Sequence, residues 1–160
     1  MSGTSSSARV SPCRILDGQA AMAFGSEVAV LVFRVPKWTV ELADRLYEES
    51  TALTGRANPR TIVHMLEAEP GARVRRRLAD LQSALDRERP ATGQRRVAVL
   101  ADSPITRGAV TALGWLSRDP LRGFPSREAM DAARWVAHAP KDAEAIHALY
   151  VGTHQLVGES

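Results

Sequence analysis

The residues best suited to chemistry lie around position 102. Asp102-Ser103-Pro104 ends an apolar run and opens a helical pattern, with Arg107 one turn further on. A strand that runs into a helix start offers free N–H groups and the positive end of a helix dipole to an anion. In parallel α/β sheets ligands favour that edge. Asp102, Ser103 and Arg107 therefore form a candidate anion-binding group. The same residue types serve plain helix capping equally well. Ser103 does not match a hydrolase nucleophile. Its frame, Ala101-Asp-Ser-Pro-Ile105, lacks both glycines of the nucleophile elbow. Pro104 also removes the N–H that an oxyanion hole would use.

A second group is basic. Arg73, Arg75, Arg76 and Arg77 open a segment whose Val74, Leu78, Leu81 and Leu85 share one helical face. The spacing predicts that Arg76 and Arg77 point outward, with Arg73 near Arg77. Arginines at a helix N-terminus oppose the macrodipole, so contact with an acidic partner is one reason to keep them. Trp38, beside Lys37 at a strand end, is the aromatic expected at such a surface. The candidate partner-binding residues are Arg73, Arg76, Arg77 and Trp38. Nucleic acid is a poor fit, because no aromatic interleaves the arginines and no reader motif is present.

Metal and cofactor chemistry find little support. His147 and His154 are seven residues apart on a helical pattern, about 10 Å by the helical rise. There is one cysteine, Cys13, and no His-Glu-x-x-His pair, so no metal site is expected. No Walker loop and no Gly-x-Gly-x-x-Gly occurs, and no cofactor is expected. His64, in mid-strand, reads as a satisfied core or edge residue. Glu48-Glu49 read as solvated charges rather than acid–base catalysts.

The elements that must position these groups follow from periodicity and breakers. Residues 1–13 read as a Ser-rich disordered tail. A strand is predicted over 15–24, with Asp17-Gly18 as a bulge or turn, and a second over 27–35, joined as a hairpin. Thr39 is an N-cap and Gly55 a stop for a helix carrying Leu42, Leu46 and Leu53. Further strands are predicted over 60–66, 95–101 and 121–124. Helices are predicted over the Arg73 segment, over 105–116, from a Ser126 cap to Val136, and over 142–157. The order β-β-α-β-α-β-α-β-α-α predicts an α/β domain. It is a single mostly parallel sheet with an N-terminal antiparallel hairpin, packed helices and an extra C-terminal helix. The domain is placed at 14–139 and the helical extension at 140–160, which either packs back or joins two copies as a homo-oligomer.

Bulk properties agree with one soluble domain of 160 residues. The longest apolar run, Val28–Phe33, is far too short to cross a membrane, and no secretory h-region is present. A single cysteine fits a reducing cytoplasm. The net charge is +3, but only Lys37 and Lys141 are lysines among 21 basic residues. Residues 56–96 hold ten arginines against five acids, so the middle of the chain is basic.

This element order resembles the SpoIIAA-like family, relatives of the STAS domain of anti-sigma-factor antagonists. The likeness covers about 15–137 and is best over 95–136. There a strand ends in Ala-Asp-Ser-Pro (101–104), a helix begins Ile-Thr-Arg (105–107), and Gly-Phe-Pro-Ser-Arg-Glu-Ala-Met (123–130) leads to Arg-Trp-Val (134–136). The resemblance implies a non-catalytic regulatory or scaffolding module that docks a protein partner, or else a binder or sensor of a small apolar, lipid or anionic ligand. Phospho-regulated relatives carry a Ser or Thr after the third strand. Here that stretch, Glu67-Ala-Glu-Pro-Gly-Ala-Arg73, has no hydroxyl residue, so the usual phospho-switch is not expected.

Overall fold

The computed structural model describes residues 9–55, 57–67, 70–89, 94–103 and 120–158. Six strands form one sheet in the order β1 to β6. They are β1 (Val10–Ile15), β2 (Ala20–Gly25), β3 (Val28–Phe33), β4 (Arg60–Met65), β5 (Val97–Leu100) and β6 (Leu121–Phe124). The first three are antiparallel neighbours, and β3 through β6 run parallel. Parallel pairing requires crossover segments, and two are helices: α1 (Val40–Thr54) and α2 (Ala72–Glu88). Two more helices follow the last strand, α3 (Ala129–Val136) and α4 (Ala143–Gly158). The expected helix over 105–116 falls outside the described residues.

The first strand differs from the prediction. Residues 10–13, expected in the tail, are already strand, and the predicted strand over 15–24 is two strands. Leu16 and Asp17 turn the chain at positive φ (54° and 56°) and split it. β1 holds Pro12 and polar residues because it is the sheet edge, where a missing ladder N–H costs little.

Helices cover both faces. On one face α1 packs Leu42 and Leu46 over Met22, Ala29 and Phe33. On the other, α3 and α4 pack Ala132, Val136, Ile146 and Leu149 over Ala21, Val30, Ile62 and Leu100. Period-two alternation explains the division: β4 sends Ile62 and His64 to the second face and Val63 and Met65 to the first. The C-terminal helix is therefore part of the core rather than a separable extension. Its apolar face is spent on the sheet, and Val151, 40% exposed, is the only large exposed hydrophobic among the described residues. That face is not available to a second copy.

Local signals set the helix ends. The Thr39 hydroxyl accepts the Leu42 N–H at 3.1 Å, and Gly55 leaves α1 at φ 67°. Several arginines satisfy helix C-termini that would otherwise present bare carbonyls. Arg60 donates to the Val136 and Ala137 carbonyls, and Arg96 donates to that of Trp135. Arg89 donates to the Gly55 carbonyl behind α1. A positive group at the negative end of a helix dipole is favourable.

Candidate functional site

Two features stand out on opposite faces of β4. The first is a chain of polar side chains at the carboxyl ends of β4, β5 and β6, the edge where ligands gather in parallel sheets. His64 is 4% exposed and has both ring nitrogens engaged. Nδ1 lies 2.8 Å from the Tyr150 Oη, and Nε2 lies 3.0 Å from the Ser126 Oγ. His154 stacks on the His64 ring at 5.5 Å between centroids. Asp102 accepts the Ser126 N–H at 3.2 Å. The Ser126 hydroxyl first, and its N–H second, hold the Asp102 carboxyl below its ordinary range.

Which ring nitrogen carries the proton decides which of Ser126 and Tyr150 donates to His64 and which accepts from it. Burial, then His154, lowers His64 to about 4, which keeps the ring neutral near pH 7. Burial, then Asp102, raises Tyr150 to about 12, which keeps its proton in place. The chain of contacts ties β4, the turn at 126–128 and α4 together.

This arrangement corrects one expectation. Ser126 does not cap its helix through its side chain. Asp102 supplies the capping carboxylate from another strand. Asp102 and Ser103 follow the end of β5, and the helix start expected beside them falls outside the described residues. Arg107 lies outside the described residues.

The second feature is a cavity of about 650 Å³ between α1, α2 and the sheet. Its floor is apolar, from Met22, Leu31, Val63 and Met65 among others. Trp38, which tilts against Phe33 at 5.3 Å, lines one end. Tyr47, Asn58, Gln82 and Asp86 line the other side. The sequence singled out Trp38 as a contact residue, and the structure places it at this cavity, half-buried. The remaining wall went unseen in the sequence. Gln82 and Asp86 sit on the α2 face next to the predicted core stripe and Asn58 in the loop before β4, and only the folding of that loop against α2 brings them together.

The arginine cluster divides. Arg77 does not project freely; its Nε donates to Asp44 Oδ1 at 2.6 Å and pins α2 to α1. Arg75 donates to the Pro70 carbonyl. Arg73 and Arg76 remain exposed and, among the described residues, pair with no acid. Among the described residues no group of His, Cys, Asp and Glu gathers to hold a metal, and no helix is long and apolar enough to cross a membrane. Compared with known proteins, the chain matches no family model, no curated protein and no solved structure.

Proposed function

We propose that the chain is a non-catalytic binding module that takes a small, mainly apolar molecule between α1, α2 and the sheet. The observation that carries this reading is the cavity of about 650 Å³ with its apolar floor. That size falls within the range of small-molecule sites, roughly 300–1,000 Å³, which combine apolar walls with a few placed polar groups. The likeness to SpoIIAA-like proteins supports the same reading. A cytoplasmic place of action fits the one cysteine.

The test uses N-phenyl naphthylamine, an apolar dye that brightens on leaving water. The chain should enhance its fluorescence to saturation at one dye per chain. Leu31→Trp, which fills the cavity floor, should abolish the enhancement while keeping a cooperative thermal transition. No saturable binding by the unaltered chain, or equal binding by a folded Leu31→Trp variant, overturns the proposal.

Exposed Arg73 and Arg76 favour a second reading, a regulatory or scaffolding module whose α2 start docks an acidic protein surface. Reversing both charges would then abolish a stoichiometric complex without changing dye binding.

A further inference from the structure

We infer that the molecule held in the cavity carries a neutral hydroxyl at the Asp86 end; this rests on the binding reading above. The wall there is a closed hydrogen-bond network. The Tyr47 Oη donates to Gln82 Oε1 at 2.8 Å. Gln82 Nε2 donates to Asn58 Oδ1 at 3.2 Å and to Asp86 Oδ1 at 2.9 Å. Asn58 Nδ2 donates to Asp86 Oδ1 at 2.7 Å. Asn58 is 8% exposed, so water does little to complete this network.

Counting valences shows what is left over. Both amides spend donors on one oxygen, Oδ1, of Asp86. Among the described residues Asp86 Oδ2 receives no donor, and no cation pairs with the carboxylate. Asn58 Nδ2 has a second N–H to give beyond the one spent on Asp86. The wall thus offers one strong acceptor beside one amide donor. A hydroxyl, which gives one proton and accepts another, is their complement.

Charge narrows the choice further. A carboxylate head would meet Asp86 with like charge. An ammonium head would meet Arg75, Arg87 and Arg95, which also line the cavity. Two of these guanidiniums already face the protein's own acceptors: Arg75 the Pro70 carbonyl, and Arg95 the Pro59 carbonyl and the Thr61 hydroxyl. They discourage a cation without being laid out to clasp an anion. The body of the molecule is elongated. From Asp86 to Arg75 the wall follows eleven residues of α2, about 17 Å by the helical rise. Leu78, Leu46 and Leu31 line that length. A long-chain or ring alcohol fits both the head and the body.

The experiment compares dodecanol, kept below its solubility limit, with dodecylamine and dodecanoate, kept below their micelle concentrations, as competitors of the dye on the unaltered 160-residue chain. Dodecanol should displace the dye at a concentration at least about tenfold lower than either ion, the discrimination that about 1.4 kcal/mol gives. Asp86→Asn should cost dodecanol about tenfold and narrow its lead over dodecanoate, with folding checked by near-ultraviolet circular dichroism. Dodecanoate or dodecylamine binding tightest overturns the inference, as does a folded Asp86→Asn variant that keeps the full preference. Failure of the dye and of all three competitors to bind overturns the cavity reading itself. The ranking on the unaltered chain decides the matter even where the variant does not fold.

Discussion

His64 stays neutral inside the fold because burial holds it near 4, whereas in an unfolded chain it titrates near 6.5. The sign of its effect on stability follows. As pH falls below the unfolded value, the unfolded chain takes up a proton that the folded chain refuses, so stability falls. The loss begins near pH 6.5, grows down to about pH 4 and then levels off. Each tenfold difference in proton affinity is worth about 1.4 kcal/mol, so the full contribution is about 3 kcal/mol. Urea midpoints measured between pH 7 and pH 4 should show this decline. His64→Gln should lower stability at pH 7 and flatten the pH dependence; an unchanged slope would show that His64 titrates normally. The sequence placed His64 correctly in mid-strand and judged it satisfied. It did not reveal the partners, because Ser126 is 62 residues away and Tyr150 is 86. Such pairings depend on which strands become neighbours, and no local pattern encodes that. Asp102 was legible as a capping residue, but the turn it caps lies beyond the next strand.

At the scale of elements, local chemistry was read more easily. Thr39, Gly55 and the Val74–Leu85 stripe all act within one or two helical turns, where spacing alone decides the outcome. The chain defeats such reading where it breaks a local rule. The turn between β2 and β3 is Ser26-Glu27, both at positive φ (52° and 61°). That is the geometry that Asn-Gly or Asp-Gly adopts without strain. Glu27 is exposed, so its side chain does not offset the cost through packing. Glu27→Gly should therefore stabilise the protein by about 1 kcal/mol, seen as a higher thermal midpoint. A lower midpoint would mean that the turn draws its hold from elsewhere. The arginine bias also resolves at this scale. Arg60, Arg89 and Arg96 close helix ends with donors that reach main-chain carbonyls, Arg60 spanning two in succession. An ammonium is less suited to that task because it lacks the planar fork. The basic middle of the chain thus serves the fold as much as any partner, and Arg73, Arg76 and Arg87 are the exposed remainder among the described residues.

For the whole molecule, the α/β class and the antiparallel opening were legible because strands and helices alternate in the sequence. The role of the last helix was not, since an amphipathic pattern tells that a face is buried but not against what. α4 lies on β1, β2 and β3, and Arg14 Nε donates to the Leu156 carbonyl across 142 residues. Gly25 shows how close the fit is: a Cβ there would stand 2.7 Å from Leu149 Cδ1. Deleting residues 140–160 should therefore abolish cooperative unfolding and the near-ultraviolet signal of the core, rather than release a folded monomer. A soluble, cooperatively folding truncation would show that the first three strands need no cover. The strand order has a consequence for how the protein is made. Each strand pairs with the one synthesised just before it, so the sheet can grow in step with the ribosome. The cover for its first strands, however, is α4, which is made only after all six strands. Until then a nascent chain carries a bare apolar surface over β1 to β3, the kind of exposure that invites chaperones and punishes stalled translation.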